Sequence, residues 1–304
     1  MKREEEKRTG GDRLSVVIPT LNAEKEIPEL IRRIRRQTLL PEEILILDSC
    51  SGDGTREAAG RFDGVRILTE TRFNHGGTRD RGFRETRGDV VLFLTQDAMP
   101  ASEETFEKLC GDLRAHPKAA AAYGRQMPRA DARPAERWVR DFSYPAVSET
   151  HDLSTMAEKG LRAFYLSNAF AAYRREAYEA LGGFEQDVRS NEDMLFAAKA
   201  IRGGYEIVYS AEACVVHSHN LTLAEQYARN RLQGYELARH RALLENDSPV
   251  ASGKMMLAHV SRGLLKEGRI FSWIRFGADC AARLAGNRAG AREYDRDMRK
   301  KGHG

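Results

Sequence analysis

Short apolar runs alternate with helix-like stretches through the first 94 residues of the chain. Between the first two runs, apolar side chains recur at helical spacing from Ile27 to Ile34. Strand–helix–strand units of this length connect through right-handed crossovers. The expected fold class is therefore α/β, with a mostly parallel sheet and helices on both of its faces. Four apolar runs are predicted to form buried strands: LSVVIPTLN (14–22), EILILDS (43–49), VRIL (65–68) and DVVLFL (89–94).

Composition divides the 304 residues into three parts. Residues 1–12 are charged and are expected to be disordered. Residues 13–220 hold the strand–helix pattern and are expected to form one globular domain. Residues 221–304 are predicted to be helical and carry 16 Lys and Arg against 9 Asp and Glu. The basic excess of the whole chain therefore lies in this C-terminal extension.

Several classes of protein are disfavoured by the sequence. The chain has neither the apolar stretch of a secretion signal nor 18 consecutive apolar residues, so we expect a cytoplasmic protein. Its four cysteines form no CxxC or Cys/His spacing and are expected to be reduced thiols. GxGxxG and GxxxxGK[ST] are both missing, which argues against a dehydrogenase and a P-loop NTPase. The basic extension carries no nucleic-acid-binding module, so we expect no nucleic-acid partner.

Polar residues recur where successive predicted strands end. Because ligands bind at the carboxyl ends of strands in open α/β sheets, four such exits favour one common cleft. A single exit of this kind is typical of a turn. The exits hold Thr20 and Asn22, Asp48 and Ser49, FNHGGTRDRG (73–82) and TQDA (95–98).

Three further motifs each have a structural and a chemical interpretation. In NHGGTR, two glycines permit close backbone approach and the planar fork of Arg79 suits phosphate; the alternative is a glycine loop with a solvated arginine. In RSNEDMLFAAKA (189–200), Asp193 is either a carboxylate held at a helix start or, with Ser190, part of a capping box. In VVHSHN, a strand would put His217 and His219 on one face, as metal or phosphate ligands or as structural histidines.

Together these segments resemble the family 2 glycosyltransferases, enzymes of the GT-A fold that use a nucleotide sugar. The resemblance covers roughly residues 14–220. FNHGGTRDRG followed by LTQDAMP is similar to the bacterial branch described as rhamnosyltransferases. The segments that carry the family resemblance are VVIPTLNAEKEIPELIRRIRRQ, EILILDSCSGDGT, DVVLFLTQDAMP and ALGGFEQDVRSNEDMLFAAKA.

The resemblance implies a role for each candidate site residue. Asp193 corresponds to the carboxylate of the family's ED motif, which implies that it is the catalytic general base. Asp97 is implied to hold Mg²⁺ or Mn²⁺ against the donor diphosphate, and His217 and His219 are the side chains expected to assist it. The residues implied to bind the nucleotide sugar are Thr20, Asn22 and Asp48 at the base and ribose, Arg79 near the diphosphate, and Gln96.

Two positions depart from the family pattern. Thr95 stands where the DxD metal motif has its first Asp, and this leaves metal dependence open. Ser49 stands where many members have a second Asp, and this leaves the contact with uracil or thymine open. A divalent ion suits the leaving diphosphate and prefers oxygen ligands such as Asp97.

The predicted function is an inverting transfer of L-rhamnose from a dTDP-sugar to a surface-polysaccharide or lipid-linked acceptor. One alternative is a glycosyltransferase that uses a UDP-hexose or UDP-N-acetylhexosamine. Another is a non-catalytic GT-A-like module that binds the nucleotide without transfer. Loss of transfer or of donor hydrolysis on changing Asp193 distinguishes an enzyme from a binding module.

The C-terminal extension carries an apolar face with arginines beside it. Such a face suits an interfacial helix on the cytoplasmic side of the inner membrane, because burial and cationic side chains both favour anionic lipid. The same face also suits packing on the catalytic domain or on a second subunit in a homodimer. The face comprises Leu257, Val260, Leu264, Leu265, Ile270, Trp273, Ile274 and Phe276, with Arg269, Arg275 and Arg283.

Overall fold

The structure is a computed structural model that describes residues 12–244 and 249–301, with side chains described outside residues 249–252. The predicted disorder of residues 1–12 lies outside the described residues except at residue 12. A nine-stranded sheet forms the centre of the molecule. Its strands are β1 (Leu14–Thr20), β2 (Glu43–Asp48), β3 (Val65–Thr69), β4 (Val90–Leu94), β5 (Met99–Pro100), β6 (Ala119–Met127), β7 (Glu149–His151), β8 (Phe170–Arg174) and β9 (Glu206–Val216).

The sheet has a parallel half and a mixed half. Its strand order is β3-β2-β1-β4-β8-β6-β9-β5, with β7 paired to β9. Strands β3, β2, β1 and β4 run parallel, as the alternating pattern predicts. Strand β8 is antiparallel to both β4 and β6, whereas β6 and β9 are parallel. The α/β fold class is confirmed, and the four predicted strand exits lie along one edge of the parallel half.

Helices cover both faces of the sheet and extend beyond it. They are α1 (Ile27–Arg35), α2 (Thr55–Gly60), α3 (His75–Glu85), α4 (Thr105–Ala115), α5 (Pro134–Ser143), α6 (Leu153–Lys159), α7 (Arg175–Ala180), α8 (Glu192–Arg202), α9 (Leu223–Arg239), α10 (Pro249–Lys266) and α11 (Ile270–Lys301), with a 3₁₀ turn at Gly160–Phe164. One apolar cluster packs α1 and α4 on one face, and a second packs α3 and α8 on the other. Burial on both faces explains why the central strands are apolar throughout.

The small-residue stretch AAAAYG (119–124) forms most of strand β6. The side chains of Ala119, Ala121 and Ala122 are completely buried. A Cβ at Gly124 would lie 2.3 Å from the ring of Phe170 on β8, so the neighbouring strand leaves room only for a glycine. Close packing, not intrinsic strand propensity, therefore determines this strand.

The C-terminal extension is helical in its described residues and packs against the sheet domain. Val260, Leu264 and Phe276 are buried in a cluster with α5, so this part of the predicted apolar face packs on the domain. Helix α11 crosses α9 so closely that a Cβ at Gly290 would lie 1.9 Å from the carbonyl oxygen of Arg231. Phe271 and the rest of the turn between α10 and α11 remain exposed. None of the described helices is both long and apolar enough to span a bilayer.

Candidate active site

The exits of β1 and β2 form one side of a cleft. The two strands are in register at Thr20 and Asp48, and the Thr20 hydroxyl donates to Asp48 Oδ1 at 3.3 Å. Asn22 adopts a left-handed φ of 51°, and its Oδ1 accepts a hydrogen bond from the Gly52 backbone N–H at 2.9 Å. Asp48 is fully buried and also accepts from the backbone N–H of Ser51. The three predicted donor-binding residues of these strands therefore lie together in one hydrogen-bonded loop pair.

Gln96 connects the exit of β4 to the exit of β1. Its Oε1 accepts from the Leu21 backbone N–H at 2.8 Å, and its Nε2 donates to the Leu21 carbonyl oxygen at 3.1 Å. Both ends of the amide are thus used to hold the β1 exit beside residues 95–98. The observed contacts of Gln96 position this edge, and its predicted contact with the donor stays a prediction.

Asp97, His217 and His219 meet in one cluster. Asp97 Oδ1 lies 3.4 Å from His217 Nδ1, and Asp97 Oδ2 lies 3.6 Å from His219 Nε2. One ligand atom from each residue falls within 4.8 Å of the others. Atoms that bind one ion from opposite sides, each at about 2.1 Å, are about 4.2 Å apart. The spacing is therefore close to that of a metal site, and the prediction that Asp97 is near a histidine is met by both.

A short strand brings this cluster together. Strand β5 pairs with the end of β9, with Met99 opposite Val216. Asp97, two residues before β5, therefore lies beside His217, the first residue after β9. The expectation that His217 and His219 share the face of a strand is wrong, since β9 ends at Val216. The two imidazole rings pack edge to face in the loop after the strand, with their centroids 4.7 Å apart.

The electrostatics of the cluster favour an ionised Asp97. Burial raises the pKa of the Asp97 carboxyl, but the hydrogen bond and charge of His217, with the charge of His219, outweigh burial and bring it to about 2. Burial lowers the pKa of His219 to about 4, and this favours the neutral imidazole that binds metals. His217 Nδ1 is buried and faces Asp97 Oδ1 at 3.4 Å. A carboxylate and two imidazoles at this spacing fit a divalent cation.

Glu192 and Asp193 form a pair of adjacent carboxyl groups at the start of α8. The alternative of a capping box between Ser190 and Asp193 is wrong: the helix begins after Asn191, which has a left-handed φ of 65°. The Asp193 carboxylate instead accepts from the backbone N–H groups of Asn168 and Met194, at 3.1 and 2.8 Å. Asp193 stays partly exposed, whereas Glu192 is buried. The carboxylate accessible from the cleft is thus the one that the sequence predicts as the base.

The two carboxyls of this pair have opposite pKa shifts. Burial and the adjacent charge of Glu192 raise the pKa of Asp193 to about 7, against the two backbone hydrogen bonds. Burial also opposes ionisation of Glu192, but the Arg79 charge and the hydrogen bond from Asn168 prevail and lower its pKa. Two neighbouring carboxyls therefore differ in proton affinity, which is a common arrangement where one of them accepts a proton in catalysis.

Arg79 is a buried partner of Glu192 on helix α3. Its Nε lies 3.3 Å from Glu192 Oε1, and its side chain also donates to the His75 carbonyl oxygen at 3.2 Å. The alternative of a solvated arginine in a glycine loop is wrong, because Arg79 is 6% exposed and lies in a helix capped by Asn74. A Cβ at Gly76 would lie 1.8 Å from the Glu185 carbonyl oxygen, so close approach there serves internal packing. The role of Arg79 near the diphosphate stays a prediction.

Asn168 belongs to the site but was not predicted from sequence. Its backbone N–H donates to Asp193, and its Nδ2 donates to Glu192 Oε1 at 3.0 Å. The hydroxyl of Tyr173 donates to Asn168 Oδ1 at 2.6 Å. Asn168 therefore orients both carboxyls at once. Its only sequence signal is its place just before a strand, which is too common to identify a site.

Comparison with known proteins decides the family. The sequence model of the family described as "Glycosyl transferase family 2" matches residues 15–182, more than half of the chain. The chain belongs to glycosyl transferase family 2. It is therefore a glycosyltransferase, as its motifs predict, and the match spans the exits of β1 to β4.

Two sequence relatives of this glycosyltransferase are named as O-antigen chain rhamnosyltransferases. It is 38% identical over 220 residues to the O-antigen chain rhamnosyltransferase RfbN of Salmonella typhimurium, covering 71% of this chain and 70% of that protein. It is 37% identical over 218 residues to the O-antigen chain rhamnosyltransferase WbaN of Salmonella anatum, with 71% and 69% covered. The predicted likeness to the rhamnosyltransferase branch is confirmed.

A solved structure shares the fold of the glycosyltransferase. The mannosyltransferase PcManGT from Pyrobaculum calidifontis, in complex with GDP-Man and Mn²⁺, aligns with a TM-score of 0.58 and 20% identity. The alignment covers 97% of this chain and 81% of that chain. The likeness confirms a GT-A-like fold with a helical C-terminal extension. The boundaries predicted for the domain and the extension, 13–220 and 221–304, stay predictions.

Proposed function

We propose that this glycosyltransferase moves L-rhamnose from dTDP-L-rhamnose to a sugar acceptor of a cell-surface polysaccharide, with inversion at the anomeric carbon. The observation that carries the proposal is the 38% identity to an O-antigen chain rhamnosyltransferase over 71% of the chain. The Asp97–His217–His219 cluster and the Glu192–Asp193 pair supply the two functions that the reaction needs. One group holds the leaving diphosphate, and the other removes the acceptor proton.

The donor is proposed to bind along the exits of β1, β2 and β4. Thr20, Asn22 and Asp48 would line the base and ribose pocket, where buried hydrogen-bonding groups select between nucleosides. Gln96 lies between this loop pair and Asp97, within reach of both. Arg79 would stabilise the diphosphate through the field of its buried charge.

Asp97, His217 and His219 are proposed to hold a divalent cation. Mn²⁺ fits this donor set better than Mg²⁺, because imidazole nitrogen suits Mn²⁺ better than it suits the harder, oxygen-preferring Mg²⁺. When bound, such an ion neutralises charge that develops on the leaving diphosphate. The protein's part is to keep Asp97 ionised and to hold both rings in the loop after β9.

Asp193 is proposed to act as the general base. The acceptor hydroxyl must lose its proton as its oxygen attacks the anomeric carbon, and a carboxylate with a pKa of about 7 is well matched to take it at neutral pH. The hydrogen bonds from Asn168 and Met194 hold the carboxylate in place. The nucleotide leaves as the diphosphate, so the base acts on the acceptor side alone.

A thermal-shift screen tests the donor. The protein is melted with dTDP, UDP, GDP and their sugars, with and without Mn²⁺, because a ligand that binds only the folded state raises the melting temperature. We expect dTDP-L-rhamnose with Mn²⁺ to give the largest increase and to be slowly hydrolysed. A larger increase with a UDP-sugar would replace the proposed donor. Binding of dTDP-L-rhamnose without hydrolysis or transfer would favour the non-catalytic module.

The turn between α10 and α11 is proposed to contact the cytoplasmic face of the inner membrane. Phe271, Ile274 and Ile270 are 89%, 59% and 57% exposed there. Lys266, Arg269 and Arg275 lie on either side in the sequence. An exposed apolar tip within a basic border fits anionic lipid, in which apolar burial and charge attraction add. A lipid-linked acceptor would then be within reach of an enzyme that rests on the surface.

Vesicle sedimentation tests this contact. We expect the protein to sediment with vesicles of anionic lipid, to be released by salt, and to lose binding on Phe271→Ser with Ile274→Ser. The control is Tyr227→Ser, which changes an exposed aromatic residue of α9. Equal recovery in the supernatant with and without vesicles at low salt would refute the contact. A mass of two subunits that the double substitution reduces to one would assign the tip to a homodimer instead.

A further inference from the structure

A pocket opens beside the candidate metal cluster. It lies between α5, the loop after β9 and α11, and has a volume of about 90 Å³. His219 lines it from the metal cluster, and Arg275, Asp279 and Arg283 line it from α11. None of the donor-binding roles proposed above uses it.

Two charged side chains in this pocket have unpaired buried atoms. Asp279 Oδ1 and Arg283 Nε are buried, and neither has a hydrogen-bond partner among the residues that the structure describes. Unpaired buried polar atoms are costly and are therefore uncommon in folded proteins. Ligand groups that donate to Asp279 and accept from Arg283 would satisfy both atoms.

A second pocket in the molecule differs in how its polar side chains are paired. It is lined by Glu149, His151 and Lys159 together with several aromatic residues. Three of its polar groups are paired: Lys159 Nζ lies 2.8 Å from Glu149 Oε2, and His151 Nδ1 lies 2.8 Å from the Ala163 carbonyl oxygen. Of these two pockets, only the one beside His219 has buried charged side-chain atoms without a hydrogen-bond partner among the described residues.

Helix α11 holds the pocket residues on one face. Ser272, Arg275, Asp279 and Arg283 recur at three- and four-residue spacing, which places them above one another along the helix. Phe276, between them, is buried against α5. The apolar anchor keeps this face turned toward the sheet domain, so the polar groups are held in place before a ligand arrives.

The chemistry of the lining suits a hydroxyl-rich ligand. A carboxylate accepts from hydroxyls, a guanidinium donates to them, and Gln226 supplies an amide that does both. Acidic and basic side chains both line the pocket, so acceptors and donors for sugar hydroxyls lie close together: Glu136 and Asp279 with Arg133, Arg275 and Arg283. Val139 and Pro134 add apolar surface for the faces of a sugar ring.

We infer that this pocket binds the acceptor glycan, with Asp279 and Arg283 as its specificity-determining residues. The inference rests on the proposed function, because a glycosyltransferase needs an acceptor site next to its donor site. His219 belongs to both the metal cluster and the pocket wall, so a sugar in the pocket adjoins the donor diphosphate. The C-terminal extension thus selects the acceptor, while the sheet domain binds the donor.

Saturation-transfer difference NMR tests the pocket directly. The probes are the methyl glycosides of D-galactose, D-glucose, D-mannose and L-rhamnose, with pyrophosphate as an anionic probe. We expect at least one glycoside to bind, and Asp279→Ala and Arg283→Ala each to weaken it by about tenfold or more. Arg296→Ala, an exposed change on the same helix, is the control. Asp279→Asn and Arg283→Lys serve if the alanine variants melt early.

Two outcomes would overturn the inference. One is that no glycoside binds, or that binding is unaffected by changes at both Asp279 and Arg283. The other is that dTDP-L-rhamnose displaces the glycoside from the Asp193→Asn protein, because the pocket would then hold the donor sugar. Failure of the proposed function is distinguishable: dTDP-L-rhamnose would then give no thermal shift, while glycoside binding that depends on Asp279 would persist.

Discussion

The carboxyl pKa values of two aspartates in this glycosyltransferase are shifted in opposite directions. Asp97 lies between two histidines, and its pKa is lowered to about 2. Asp193 lies beside a buried glutamate, and its pKa is raised to about 7. Both are largely enclosed by protein, so burial alone does not explain the difference in pKa. The charges of the neighbouring side chains explain it.

The comparison separates two kinds of chemistry within one cleft. A carboxylate that binds a cation must stay ionised, and the lowered pKa of Asp97 favours its ionised form at neutral pH. A carboxylate that takes up a proton must have appreciable proton affinity, which Asp193 has near neutral pH. In the proposed mechanism one residue type therefore serves as ligand and as base, depending on whether histidines or a glutamate lie next to it.

The largest effect is expected from changing the base. Asp193→Asn should lower transfer by roughly 10²- to 10⁴-fold, because the acceptor hydroxyl loses its proton acceptor. Nucleotide binding, measured by thermal shift, should stay close to that of the unaltered protein. Asp187→Asn is the control, since Asp187 is close in sequence and its side chain is 93% exposed. Transfer that survives in Asp193→Asn would leave this carboxylate a structural role only.

A smaller loss is expected from changing the metal side. Asp97→Ala should weaken Mn²⁺-dependent nucleotide binding by roughly 10²-fold, since a bound ion contributes several kcal/mol. His219→Ala should weaken it less, because His217 remains. Titration of nucleotide with and without Mn²⁺ measures both. If EDTA changes neither nucleotide binding nor turnover, Asp97 is not a metal ligand.

The pH profile of transfer sharpens the comparison further. Transfer should rise with pH through about 7, because Asp193 must be ionised to accept a proton. Glu192→Gln removes the negative charge that raises the pKa of Asp193, so the rise should move to lower pH by roughly one unit. Arg79→Gln removes a positive charge that lowers this pKa and should move the rise to higher pH. Shifts in the same direction for both variants would contradict this account, and melting curves check that each variant folds.

The parallel half of the fold was predictable because each strand carries its own apolar signal. Strands β1, β2 and β4 are buried on both faces, so their sequences are mostly apolar, whereas the edge strand β3 is only partly buried. Strand β6 gives no such signal, since alanines are poor strand formers in isolation. Its place between β8 and β9 depends on close packing with distant segments, which local sequence does not contain.

The same limit applies to the candidate site. Asp97 and Asp193 were found because each lies at the end or the start of a recognisable element. Asn168 contacts Asp193 from 25 residues away, and its own segment carries no distinctive pattern. The buried ion pair of Arg79 with Glu192 was not predicted, because it joins two segments that lie far apart in the sequence. Contacts that join distant segments are thus the part that sequence patterns do not contain.

The smallest effect is expected at Thr95, which stands where the DxD motif has its first carboxylate. Thr95 takes part in the site through its backbone: its N–H donates to the Ala169 carbonyl oxygen at 3.2 Å, and its carbonyl oxygen accepts from the Ala98 N–H at 3.0 Å. Its hydroxyl is buried and unpaired within the described residues. Thr95→Val keeps the shape and the backbone bonds and removes only that hydroxyl. Because Asp97, His217 and His219 would already supply three ligands in the proposed site, Mn²⁺-dependent nucleotide binding should change by less than about threefold. A loss as large as that of Asp97→Ala would instead make the hydroxyl a metal ligand, and the contrast between the two aspartates would then rest on a four-residue site.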